Sequence, residues 1–136
     1  MADCIFCKII RGEIPCTKVY EDDLVFCFLD ISPFNPGHTL VLPKKHHHTL
    51  FDIPGEELSA CIAAASKVGK AVYKGMAAEG LNLLQNNFRA GGQLVDHAHF
   101  HLIPRYEGDG FLSRWPSKPQ TPEQLKEALE KIASEL

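Results

Sequence analysis

The run Asp96-His97-Ala98-His99-Phe100-His101-Leu102-Ile103 constrains this chain more than any other stretch. Its histidines alternate with apolar residues, and in an extended strand the side chains at i, i+2 and i+4 leave the same face. His97, His99 and His101 are therefore expected to form one row of imidazoles, with Ala98, Phe100 and Leu102 turned the other way. An imidazole is costly to bury without a partner, and near neutral pH it serves as nucleophile, acid, base or metal ligand. One such histidine would read as a satisfied core residue. Three in register point to chemistry.

A strand of this kind needs a core to hold it, and 136 residues suit a single domain with one. The formal net charge of −3 argues against a strongly basic nucleic-acid surface. It leaves room for a small anionic ligand, because backbone N–H groups and histidines can make a pocket locally positive. No apolar run approaches membrane-spanning length, and Met1-Ala2-Asp3-Cys4 lacks the basic region and apolar core of a secretory signal. The five cysteines are odd in number and lack the spacing of a secreted disulfide framework. A reducing cytosol, with no membrane and no nucleic-acid polymer as partner, is the expectation.

Cys4 to Gly12 reads as a short helix closed by glycine, and one turn brings Cys4 and Cys7 together. The pair fits a redox site, two buried thiols, or half of a zinc site that needs two further ligands. Val19–Glu21 and Leu24–Leu29 read as strands joined at Asp22-Asp23, with Cys27 a packing residue. Asp30 to Gly37 is a loop, His38–Leu42 a strand ended by Pro43, and Lys44–His48 a polar turn. Pro54 to Lys74 is the main helix, with Pro54 at N1, Asp52 as a cap, and an apolar stripe of Leu58, Ile62, Ala65, Val68 and Val72. Leu81–Asn86 alternates as a strand, and the glycine loop Arg89–Gln93 feeds the histidine strand. After an irregular stretch in which Trp115 is expected to dock on the core, a capping box at Thr121 and Gln124 opens a last helix whose buried edge is Leu125, Leu129 and Ile132.

The pattern His97-Ala98-His99-Phe100-His101-Leu102-Ile103 resembles the histidine-triad (HIT) signature, H-φ-H-φ-H-φ-φ with φ apolar, at every position. Further blocks are similar to the family's: Ile5-Phe6-Cys7-Lys8-Ile9-Ile10, Gly12-Glu13-Ile14-Pro15, Asp30-Ile31-Ser32-Pro33, Pro36-Gly37-His38 and Pro43-Lys44-Lys45-His46. The resemblance spans about 3–105 of a single 1–136 domain, leaving 106–136 as a C-terminal extension and helix. It implies an α+β HIT fold: an antiparallel sheet of about five strands, with a main helix and short terminal helices on one side. It also implies a homodimer with the sheet continuing across the interface.

The activity implied is cleavage of the α-phosphate linkage of a purine nucleotide derivative, of the adenosine phosphoramidate or dinucleoside polyphosphate type. His99 would attack phosphorus and carry the nucleotidyl intermediate, with an acceptor for its other ring proton, and His101 and His38 would stand beside the phosphate. The resemblance assigns Asp30 to the ribose, Asn86 to the ribose–phosphate region, Gln93 to the phosphate, and Phe6, Ile9, Phe28 and Ile31 to the base pocket. A CxxC-bearing branch implies a structural zinc on Cys4, Cys7, His46 and His97, with His47 and His48 facing solvent. Leu94 departs from the serine or threonine that phosphoramidase-type members carry directly after the loop glutamine. Two other readings compete. One is a metallohydrolase whose catalytic metal is held by His97, His99 and His101; the other is a nucleotide-binding regulatory or scaffolding protein with vestigial catalysis.

Overall fold

The computed structural model describes residues 3–110 and 116–136. Its elements in order are α1 (Ile5–Ile10), β1 (Lys18–Glu21), β2 (Val25–Leu29), β3 (Thr39–Pro43), α2 (Gly55–Gly75), β4 (Gly80–Gln85), β5 (Phe100–Arg105) and α3 (Pro122–Ala133). Short 3₁₀ turns lie at Leu50–Asp52 and Arg89–Gly91. The strands make one five-stranded sheet in the order β1-β2-β3-β5-β4. Every pairing is antiparallel.

The runs Val25–Phe28 and Leu40–Leu42 are apolar at successive positions because the sheet is covered on both faces. Val25, Cys27, Val41, Phe100 and Leu102 pack with Cys61, Ala64, Ala65, Val68 and Val72 of α2. Phe26, Phe28, Leu40 and Leu42 pack with Phe6 and Ile9 of α1. The helices thus lie on opposite faces rather than on one side, as the resemblance had implied. The histidine row shares the α1 face, which makes a six-residue helix the wall of the site.

Local chemistry accounts for most boundaries. Cys4 caps α1 in an extended conformation, and Gly12, at φ +80°, takes the left-handed position past its end. Gly37, at φ +93°, turns the chain into β3; a Cβ there would also come within 2.5 Å of Met76 Cγ. Pro54 is the N-cap of α2 rather than its first helical residue, and Asp52 serves a capping box with Thr49 in the turn before it. The buried stripe of α2 runs through Cys61, while Ile62 keeps 45% of its surface exposed. One residue is 100° of helix rotation, enough to move a side chain off the core face.

Two further expectations are corrected. The ladder of β5 begins at Phe100, so His97 and His99 enter along bent extended chain rather than within the strand. The capping box at Thr121 and Gln124 opens α3 as expected, but Leu125, Leu129 and Ile132 remain 59%, 64% and 61% exposed. Periodicity shows that a helix has an apolar edge without showing what that edge meets. Trp115 lies outside the described residues.

Candidate active site and metal cluster

Although the ladder starts late, the alternation survives. Phe100 and Leu102 join the α2 core, while His99 and His101 stand together on the other face with ring centroids 5.0 Å apart. Phe6 from α1 contacts His97 and His99 edge-on, at 6.0 and 5.0 Å. It stands at the point where the row divides into two groups of different chemistry.

The first group is Cys4, Cys7, His46 and His97, whose ligand atoms all lie within 4.8 Å of one another. Cys4 Sγ is 3.5 Å from His97 Nδ1, and Cys7 Sγ is 3.5 Å from His46 Nδ1 and 3.6 Å from His97 Nδ1. With ordinary zinc–sulfur and zinc–nitrogen bonds, a tetrahedral site has a sulfur-to-nitrogen edge of about 3.6 Å. The donor set and its spacing fit zinc. His97 Nε2–H donates to the Pro43 carbonyl at 2.8 Å, which turns Nδ1 toward the sulfurs and supplies the outer hydrogen bond usual for a ligating histidine. Burial holds the His97 pKa down to about 4, so its ring is neutral, as a ligand must be. His48 is exposed, but His47 is not solvent-facing: its Nε2 lies 2.9 Å from Glu57 Oε1, and its carbonyl accepts from Ala98 N–H at 2.7 Å.

The second group opens on a cavity of about 340 Å³. Its lining combines the apolar side chains of Phe6, Ile9, Phe28 and Ile31 with the polar groups of Asp30, Asn86, His99 and His101. Ile31 is 94% exposed, so it borders the mouth rather than the interior. Asp30 Oδ1 accepts from Ser32 N–H at 2.8 Å, and Oδ2 lies 3.7 Å from His38 Nε2. An apolar chamber with a few convergent polar groups suits a ligand carrying a flat base and an anionic tail.

Gln93 does not line this cavity. Its amide accepts from Phe88 N–H at 2.8 Å and donates to the carbonyls of His48 and Val95 at 2.6 and 3.1 Å. The side chain therefore fastens the glycine loop, which Gly92 turns at φ +93°. Leu94, already marked by its departure from the family pattern, lines the cavity, as do Cys16, Leu40 and Val95, which were not singled out by the sequence. Nothing in the local pattern around Cys16 distinguishes a wall residue from a loop residue.

Fixed backbone groups assign the ring protons. A carbonyl only accepts, so His99 Nδ1–H donates to His97 O at 2.6 Å, and Nε2 keeps a lone pair. A backbone N–H only donates, so Phe34 N–H, 3.0 Å from His38 Nδ1, finds an unprotonated nitrogen there. His38 Nε2–H then donates to His101 Nδ1 at 2.9 Å, leaving the proton of neutral His101 on Nε2. Burial lowers the pKa of His38 and His99 and pushes that of His101 down to about 4, so the neutral forms prevail at pH 7. Asp30, His38 and His101 also lie at ligand spacing, but the protonated His38 Nε2 has no lone pair for a metal. Among the described residues His97 and His101 fall in separate ligand groups and His99 in neither, which removes the geometric basis for a metal shared by all three histidines.

The HIT domain family model matches residues 11–108. An adenosine 5′-monophosphoramidase of Schizosaccharomyces pombe is 43% identical over 134 residues, covering 98% of each chain. The crystal structure of a HIT family member from Bacillus subtilis superposes with a TM-score of 0.90 at 44% identity, covering 98% of this chain and 97% of that one. A zinc-bound histidine-triad family protein of Mycobacterium smegmatis superposes with a TM-score of 0.77 at 35% identity, over 99% of both chains. Signature, fold and kinship agree: the chain belongs to the HIT family, among relatives that are hydrolases.

Proposed function

We propose that this protein hydrolyses the α-phosphate linkage of a purine nucleotide derivative, of the adenosine phosphoramidate or dinucleoside polyphosphate type, through a nucleotidyl group on His99. The observation that carries this reading is His99 in the cavity wall with its Nδ1 proton committed to the His97 carbonyl, which leaves the lone pair on Nε2. His99 Nε2 attacks the α-phosphorus, the bond to the leaving nitrogen or oxygen breaks, and His97 O steadies the ring as it gains positive charge. His101 Nε2–H donates to a phosphate oxygen, with His38 behind it holding that ring form. Leu94 has no hydroxyl to offer, so the leaving group takes its proton from water at the open mouth. Water then attacks the phosphorus, releases the nucleoside monophosphate and restores His99. Asp30 accepts from the ribose hydroxyls, Asn86 contacts the ribose–phosphate region, and Phe6, Ile9, Phe28 and Ile31 hold the base. Gln93 serves the phosphate indirectly, by fixing the loop that carries Gly92 and Asn86 toward it.

Cys4, Cys7, His46 and His97 hold a zinc ion in this reading. It would fasten α1 to the segments that follow β3 and precede β5 and, with four protein ligands, take no part in the reaction. A homodimer is favoured by β4, an edge strand, and by apolar side chains left open beside it at Leu83, Ile62 and Tyr73. Five cysteines, an odd number without the spacing of a disulfide framework, fit a reducing cytosol, and no helix among the described residues is long and apolar enough to cross a membrane. A nucleotide-binding protein without turnover would not require the His99 lone pair to face the cavity. The test is release of AMP from adenosine 5′-phosphoramidate by the wild type and by His99→Ala. Turnover that survives the substitution would reject the reading, as would AMP binding with no turnover in the wild type.

A further inference from the structure

The loop that precedes β3 is held by groups that do not line the cavity. Asn35 Nδ2–H donates to the Pro104 carbonyl at 2.8 Å and to Asp109 Oδ2 at 3.0 Å, a contact across 74 residues. Arg105 is buried, pairs with Asp109 through Nε and Nη2, and donates from Nη1 to Asn82 Oδ1 at 2.7 Å. Its guanidinium lies 5.1 Å from the centre of the Phe34 ring. These contacts grip Phe34 and Asn35, and Phe34 N–H is the group that occupies His38 Nδ1. The Asn35 carbonyl also accepts from His38 N–H at 3.1 Å.

We infer that Asn35, Arg105 and Asp109 are positioning residues for the reaction: they aim Phe34 N–H at His38 Nδ1 and so dictate which ring nitrogen of His101 presents a proton to the phosphate. Neutral imidazole has two forms of similar energy in water, and a single fixed donor selects between them. Without that donor His38 can carry its proton on Nδ1. His38 Nε2 then offers a lone pair to His101, whose proton moves to its own Nδ1. The nitrogen facing the phosphate becomes an acceptor, and it repels the oxygens whose growing charge it should stabilise. The carboxylate of Asp109 is maintained by the Arg105 guanidinium, which holds its pKa well below the ordinary range. The cluster thus remains ionised wherever the enzyme is folded near neutral pH.

The inference rests on the His99 reading above and is tested so that the two fail separately. Asn35→Ala and Asp109→Asn are compared with the wild type by kcat and KM for adenosine 5′-phosphoramidate and by nitrogen-15 spectra of the imidazoles. In the wild type, His38 shows an unprotonated Nδ1 and a protonated Nε2. In either variant the spectra shift toward a mixture of the two ring forms, and kcat falls at least about tenfold while KM stays within about twofold. If one variant fails to fold, the other carries both readouts. The inference is overturned if the His38 ring form is unchanged in a folded variant, whatever happens to activity, or if kcat holds within twofold. A wild type with no turnover would instead sink the His99 reading, while the ring forms would still decide whether the cluster sets His38.

Discussion

His97 and His99 are two residues apart, and each is anchored through one nitrogen to a backbone carbonyl, yet they face different chemistry. His97 gives its Nε2 proton to Pro43 and turns Nδ1 to the two cysteines. His99 gives its Nδ1 proton to the His97 carbonyl, keeps a lone pair on Nε2 and lines the cavity. The residue type is the same, and the anchored nitrogen sets the role. The carbonyl of His97 is itself the anchor of the His99 ring, so in the proposed function the residues that hold the metal also orient the neighbouring nucleophile without touching it.

The comparison breaks most sharply at its reactive end. His99→Ala should lower turnover by about 10⁴-fold or more while metal content stays at the wild-type level. Metal lost together with activity would show that the two ends are one site. The converse change, Cys4→Ser with Cys7→Ser, should abolish bound zinc and cost on the order of several kcal/mol of stability, read by metal analysis and by denaturant unfolding. Retained zinc would reject the ligand set. A smaller effect is expected from Gln93→Ala, which strips three hydrogen bonds from the loop between the two groups. Stability should fall by roughly 2–3 kcal/mol, and KM should rise as Asn86 loosens.

The pH dependence of stability sharpens the contrast further. The folded-state pKa of His101 is depressed to about 4 by burial, against 6.5 in the open chain. Between these values the unfolded state takes up a proton that the folded state refuses, so stability declines as pH falls through 6.5 toward 4. Urea unfolding between pH 7.5 and 4.5 should show this slope, and His101→Gln should flatten part of it. The smallest effect concerns the rim: Leu94, 82% exposed, can become serine with little change in stability. Leu94→Ser should raise kcat for a phosphoramidate more than for a dinucleoside polyphosphate, whose leaving group needs the added proton less.

Much of this was legible in the sequence, for particular reasons. A period of two forces alternate residues to opposite faces, so the histidine row could be read although its first half lies outside the ladder. The spacing of Cys4 and Cys7 over one helical turn was equally local. The role of Gln93 was not: an amide beside glycines suits a phosphate as well as it suits three backbone groups, and only the folded loop decides. Ile62 and α3 show a related limit, since an apolar stripe carries no record of its partner. Asn35 and Asp109 meet only through the closure of the sheet, and nothing near either residue marks it for the other. The pairing of His47 with Glu57 is likewise a tertiary fact, and a histidine run by itself reads as solvated.

The most direct test of the account is to mix the zinc-loaded protein with an adenylate donor, quench within milliseconds and locate the added mass by peptide analysis. The account predicts one adenylyl group on His99, with zinc still bound in the undigested sample. An adduct on His97 or His101, or turnover with no adduct at any quench time, would contradict it.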